Sequence, residues 1–199
     1  MKYNWAPFVI GTIAMILGSC QSNDSFHQII SQKYVHKYGF DLSEEDWQKR
    51  AQEGQVVSKL KNGVTIARSY ENGNLHGPTT YTFPHNKVIE KCLVYDQGTL
   101  LKETLYDTAG MPLREEVYEF DDRLILTLLN DKGVPLSIEE YDGDLLLNGK
   151  YFSADHEIEA QIENGFGERI KRERSALIIS RDKIENGSMT ARTTYHPNG

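Results

Sequence analysis

An aromatic or aliphatic residue followed by a turn signal returns about every 11 residues from Leu60 onward, and this spacing constrains the fold more than any other feature of the chain. The units read Tyr70-Glu-Asn-Gly-Asn-Leu75, Tyr95-Asp-Gln-Gly-Thr-Leu100, Tyr106-Asp-Thr-Ala-Gly110, Tyr118-Glu-Phe-Asp-Asp122, Leu129-Asn-Asp-Lys-Gly133, Tyr141-Asp-Gly-Asp-Leu145, Ile162-Glu-Asn-Gly165, Ile184-Glu-Asn-Gly187 and Tyr195-His-Pro-Asn-Gly199. A unit that short holds one strand and one turn. The expected fold is therefore all-β, an elongated twisted antiparallel sheet of β-hairpins with a full repeat of roughly 22 to 24 residues. Asn62-Gly63, Asn72-Gly73, Asn148-Gly149, Asn164-Gly165 and Asn186-Gly187 supply the positive φ angles of tight hairpin turns. Turns a full repeat apart should stack along one edge of such a meander.

Within the repeat the period is two. Leu113, Glu115 and Val117 alternate with Arg114, Glu116 and Tyr118; Leu124, Leu126 and Leu128 with Ile125, Thr127 and Leu129; Leu136, Ile138 and Glu140 with Ser137, Glu139 and Tyr141. One face reads as mostly aliphatic and the other as more polar, with tyrosines near the strand ends. The run Leu124 to Leu129 is apolar on both faces and is expected in the best-covered part of the sheet.

Ahead of the repeat, Lys2 is followed by an apolar run from Trp5 to Leu17, too short to cross a bilayer as a helix, and this order reads as a secretory signal. It closes on Leu17-Gly18-Ser19-Cys20, which resembles the bacterial lipobox. The resemblance implies cleavage after residues 1–19, lipid on Cys20 and attachment to the membrane; Gln21 in place of Asp favours the outer membrane. Residues 20–25 then form the lipidated terminus and tether. With Cys20 lipidated, Cys92 has no partner for an intrachain disulfide, so the exported fold must be held by packing and strand pairing. Cys92 itself reads as a small buried hydrophobe.

Residues 26–54 read as a short helical segment. A helix followed by a turn at Gly39 suits 26–40. After it, Ser43 is an N-cap, Glu44, Glu45 and Asp46 fill the first turn, Lys49 and Arg50 follow, and Gly54 is placed to stop the helix. Trp47 and Ala51 define its apolar face, which should cover the first strands of the array at 55–199. The chain stops within a turn signal at Tyr195-His-Pro-Asn-Gly199, so it is expected to be a piece of a longer repeat array.

Glu71-Asn-Gly-Asn-Leu-His-Gly-Pro-Thr-Thr-Tyr81 aligns with Glu185-Asn-Gly-Ser-Met-Thr-Ala-Arg-Thr-Thr-Tyr195. Both resemble the bacterial variant of the MORN (membrane occupation and recognition nexus) repeat, of the type in the YwqK-like antitoxin family. The resemblance extends over 60–199. It departs at Ala191, which stands where the first copy has Gly77, and at Asp121-Asp122, which replace a glycine turn. It implies an interaction platform without catalytic residues. The family label also implies neutralisation of a toxin protein, a poor match for an exported, lipid-anchored chain; only the fold and the binding role are carried over.

Charge narrows the partners. The chain carries −7 at pH 7, with 19 acidic against 6 basic residues between Val88 and Glu168, so nucleic acid is not an expected partner. Arg169, Lys171, Arg172 and Arg174 form a basic knot that reads either as solvated surface or as a basic spot beside an acidic docking face. His27, His36, His76, His85, His156 and His196 are scattered singly, and no cofactor or metal is expected. Asp107, Asp121, Asp122, Asp131, Asp142 and Asp144 suit turns by bonding their own backbone more simply than by holding calcium. No nucleophile elbow or phosphate loop is present, so no catalytic residue is assigned. Tyr70, Tyr95, Tyr106, Tyr118 and Tyr141 are the candidate contact residues for a protein or envelope-component partner, their alternative role being cross-strand pairing. A toxin-neutralising protein and an envelope hydrolase are the rival readings.

Overall fold

A computed structural model describes residues 28–50 and 52–196. Cys20 and the motif residues Leu17, Gly18 and Ser19 lie outside them, as does Ala51. The described chain is one sheet of fifteen antiparallel strands. In chain order the elements are β1 (Ile29–His36), β2 (Asp41–Leu42), α1 (Glu44–Lys49), β3 (Gly54–Leu60), β4 (Thr65–Glu71), β5 (Asn74–Thr82), β6 (Ile89–Asp96), β7 (Thr99–Tyr106), β8 (Pro112–Tyr118), β9 (Arg123–Leu129), β10 (Pro135–Asp142), β11 (Leu145–Phe152), β12 (Ile158–Glu163), β13 (Phe166–Arg172), β14 (Ile178–Glu185) and β15 (Ser188–Thr194). From β3 to β15 each strand pairs with its neighbours in sequence; at the other end β1 lies between β3 and β2. The expectation of an elongated hairpin-repeat sheet is met.

Turns a full repeat apart stack along one edge through backbone hydrogen bonds. The Gly98 N–H donates to Leu75 C=O at 2.7 Å, Gly143 N–H to Asp122 C=O at 3.3 Å, Gly165 N–H to Leu147 C=O at 2.7 Å, and Gly187 N–H to Gly165 C=O at 2.9 Å. The 22-to-24-residue period is thus the step from one turn on this edge to the next. Where glycine is missing, Asp121 and Asp122 adopt φ of 67° and 60° and make the turn themselves.

Three expectations are corrected. The helix expected over 26–40 is not found among its described residues: Ile29–His36 is β1, paired to β3 in a register that sets Tyr34 opposite Val56. Alternating short apolar stretches fit a strand as well as a helix, and pairing with β3 decides. Helix α1 does form, with Ser43 as its N-cap accepting from the Asp46 N–H at 3.0 Å, but it ends at Lys49. Gly54 is not its stop. It opens β3 at φ 133°, where a Cβ would lie 2.1 Å from Val35 O, so β1 and β3 meet there only because the residue is glycine. Third, Asn148-Gly149 is not a turn but lies inside β11, the chain reversing instead around Gly143. Gly149 supplies room, since a Cβ there would stand 2.7 Å from the Tyr151 hydroxyl oxygen.

Register assigns the faces. Directly opposed residues share a side, so Arg68, Thr79, Leu93, Glu103, Glu116, Leu126, Glu139 and Gly149 form one row across β4–β11. This row lies on the tyrosine face. Most of the fully buried side chains lie there too, including Val56, Ser58, Ile66, Thr79, Leu93, Glu116, Glu139 and Tyr151. The tyrosine-bearing face, read from the sequence as the more polar, is therefore the inner one.

Curvature explains why this face is the inner one. Asp107, in the β7–β8 turn, and Arg174, in the β13–β14 turn, are six strand spacings apart, about 29 Å in a flat sheet. They nevertheless form an ion pair at 3.0 Å. The Leu146 N–H likewise reaches past β12 and β13 to Gly187 C=O at 3.1 Å. The C-terminal half is rolled toward the tyrosine face and encloses Leu146, Tyr151, Ile162, Ile170 and Ile184. The run Leu124 to Leu129 is not the best-covered part of the sheet: every residue from Leu124 to Leu129 is only half-buried, because the roll closes beyond it.

Candidate binding surface

Four of the five tyrosines form a column. Tyr70, Tyr95, Tyr118 and Tyr141 stand on the inner face at the ends of β4, β6, β8 and β10, each just before a turn of the stacked edge. Ile162 and Ile184 continue the column on β12 and β14. The substitution follows burial: the tyrosines are half-buried, and the isoleucines, at 1% and 3% exposure, lie where the roll has closed. Tyr106 is separate. It sits at the opposite edge, opposed to Pro112, and lines a shallow depression with Phe83, Leu105 and Leu113.

The column's hydroxyls and rings are tied to differing degrees. Tyr70 packs edge-on against Trp47, with ring centroids 5.8 Å apart. Tyr95 is half-buried, and burial pushes its phenol above the ordinary range. Tyr118 donates to Glu116 Oε2 at 2.5 Å, and Arg114 pairs with the same carboxylate. Tyr141 is drawn into a larger cluster. It donates to Glu139 Oε2 at 2.7 Å while accepting from Arg169 Nη2 at 2.9 Å.

That cluster is the polar centre of the roll. Glu139 is 2% exposed, yet both of its oxygens are served: Arg169 holds it bidentately through Nε and Nη2, both at 2.7 Å, and Tyr151 donates to Oε1 at 2.9 Å. Burial, then the adjacent carboxylate, pushes the Tyr151 phenol far above its ordinary range, so it stays a donor. Next to it, Asp182 is fully buried and held bidentately by Arg192 at 2.7 and 2.9 Å; those bonds keep its carboxyl below the usual range. A buried carboxylate without such partners would not survive in this sheet.

The inner face has two concavities of different character. Toward the N-terminal end, Leu60, Ile66, Tyr81, Pro84, Lys91 and Leu105 line an open, mainly apolar trough of about 470 Å³, with Lys91 Nζ 4.9 Å from the Tyr81 ring centre. Toward the C-terminal end, a cleft of about 230 Å³ lies between β9–β10 and β13–β14. It contains part of the basic knot. Arg169 is bound to Glu139, Arg172 to Glu159 and Arg174 to Asp107, so most of the knot is structural rather than solvated. The Glu139 cluster escapes a linear reading because its members come from three strands and are up to 30 residues apart. Strand parity was the available signal, since Glu139, Tyr141 and Tyr151 fall on one face.

Asp107 accepts from its own turn, from Ala109 and Met111 N–H groups at 2.9 Å each, which agrees with the turn reading. Cys92 is half-buried, and burial pushes its thiol up. Among the described residues no group of three or more His, Cys, Asp or Glu is arranged to hold a metal ion, and no helix is long and apolar enough to cross a membrane.

No family model matches the chain, and no curated protein does. Among solved structures, it is similar to the crystal structure of a point mutant of S. aureus TarM in complex with Fondaparinux, alpha-GlcNAc-glycerol and UDP, at 7% identity and TM-score 0.31 over 50% of this chain and 21% of that one. A second crystal structure of TarM gives 8% identity and TM-score 0.29 over 53% and 19% of the two chains. The chain thus spans about a fifth of those proteins' length. Fold and site rest on the chain's own geometry: an open antiparallel β-meander, capped at one end and rolled at the other.

Proposed function

We propose that this chain is a membrane-anchored bacterial lipoprotein whose MORN-like sheet is a non-catalytic scaffold for a protein or other envelope component. The carrying observation is the uncovered middle of the inner face. Across β6–β9 the fully buried side chains on this face are Leu93 and Glu116, whereas Leu105, Leu124, Leu126 and Leu128 stay half-buried there beside Tyr95 and Tyr118. Aliphatic side chains beside amphipathic tyrosines, rimmed by charge, suit a protein contact better than open solvent. The apolar leader closing on Leu17, Gly18, Ser19 and Cys20 supports delivery to the envelope, outer membrane favoured, and tethering there by lipid.

The test is photo-crosslinking from Leu126 in native membranes, with Cys20→Ala as the unanchored control. A defined partner is expected, captured only by the anchored protein and lost in Tyr95→Ala/Tyr118→Ala while the circular dichroism of the sheet is kept. Capture that ignores both changes would refute the scaffold reading.

A further inference from the structure

The 230 Å³ cleft of the rolled half has a charge imbalance. It is lined by Leu128, Leu136, Ile170 and Ile179 and by the polar groups of Ser137, Glu139, Arg169, Lys171 and Arg172. Glu139 is neutralised by Arg169, and Arg172 by Glu159. Just outside the cleft, Asp182 is neutralised by Arg192. Lys171 is left over. It is half-buried, lines the cleft, and forms no ion pair with any carboxylate among the described residues. Burial, then the nearby Arg169 and Arg192, pushes its ammonium below the usual lysine range against the pull of Asp182 and Glu139, whose carboxylates are already paired with arginines. Arg169 adds unused donors: it bonds Glu139 and Tyr141 through Nε and Nη2, and Nη1 has no partner among the described residues.

We propose that this cleft binds a small amphipathic carboxylate, with Lys171 and Nη1 of Arg169 holding the head and Leu128, Ile170 and Ile179 packing against the apolar body. Charge sets the class: one uncompensated cation calls for a monoanion, and two donor groups match the two oxygens of a carboxylate. Size sets the rest. At the volume of a liquid water per atom, the cleft holds about eight non-hydrogen atoms, the size of hexanoate. The aliphatic walls would be wasted on an inorganic anion. The same chemistry is presented by a free short-chain acid and by the C-terminal residue of a polypeptide. The site adjoins the open middle of the sheet and shares Leu128 with it, but it does not depend on the scaffold reading.

The whole ¹⁵N-labelled chain, titrated with hexanoate and with its uncharged isostere hexanamide, tests the proposal. Hexanoate is expected to shift amides of β10 and β13, and hexanamide to leave them in place. Lys171→Gln should weaken hexanoate about tenfold or more, the loss of one charge-assisted hydrogen bond, while Lys171→Arg retains binding. Lys171→Gln should fold, because Lys171 makes no ion pair. If it does not, Ile179→Trp, at an exposed rim position, fills the cleft and should abolish the shifts. Acetyl-Gly-Leu with a free carboxylate, set against its amide, separates the sources: tighter binding than hexanoate assigns the cleft to a polypeptide end, weaker binding to a free acid. Equal shifts from hexanoate and hexanamide, or undiminished hexanoate affinity in both Lys171→Gln and Ile179→Trp, would overturn the site.

Discussion

At the N-terminal end of the sheet the inner face is covered by a side chain brought from outside it; at the C-terminal end it is covered by the sheet itself. Helix α1 is only six residues long, yet Trp47 reaches the face with 3% exposure and packs against Tyr34 of β1 and Tyr70 of β4, at 5.6 and 5.8 Å between ring centroids. Beyond β9 no such cap is present among the described residues. There the sheet rolls until hairpins six strands apart touch, and its core mixes isoleucines with the Glu139–Arg169–Tyr151 network. A cap covers only what one large ring can reach, whereas a roll covers a long stretch but must satisfy every polar group that it encloses. The middle of the sheet has neither device, and its leucines remain half-exposed.

Removing one partner of the enclosed network should have the largest effect. Glu139→Ala strands a mostly buried guanidinium and two phenol hydroxyls, and should cost about 3–5 kcal/mol in urea unfolding. The joint change Glu139→Leu/Arg169→Met should recover most of that loss; if it does not, the network matters for more than charge balance. Trp47→Ala should cost about 3 kcal/mol. Its signature is regional: faster hydrogen exchange in β1–β4 with β10–β14 still protected, and uniform loosening would erase the distinction between capped and rolled ends.

Acid should act on the rolled end with a smaller effect. The Arg192 bonds hold the Asp182 carboxyl below its ordinary value of 3.8, so their stabilisation is present above that pH and is lost as pH falls through the lowered value. Exchange in β13–β15 should therefore quicken on acidification below about pH 4, a dependence that Asp182→Asn should flatten at a lower overall stability. The smallest effect is expected at the cap: Ser43→Ala removes the acceptor for the Asp46 N–H and should cost about 1 kcal/mol by thermal unfolding.

The hairpin period was legible because it is local. Tyr70, Tyr95, Tyr118 and Tyr141 recur before their turns on every second strand, a step that a hairpin repeat fills, and Ser43 with its acidic first turn announces α1. The sequence reading erred where a local signal had two outcomes. Asn148-Gly149 has the composition of a turn, but the glycine makes room for the Tyr151 ring. The alternation around Leu124 marks two faces without saying which is inner. The Glu139–Arg169 pair was hidden because its partners are 30 residues apart.

By itself the sequence determined the element type within the repeat, the repeat step and the stacking of turns, all consequences of backbone geometry within a few residues. Only the tertiary structure decided which face is buried, which arginines are spent on internal carboxylates and why Lys171 is left unpaired. Those outcomes depend on the accumulated curvature of many strands, which brings distant side chains within hydrogen-bonding reach and which no single repeat contains.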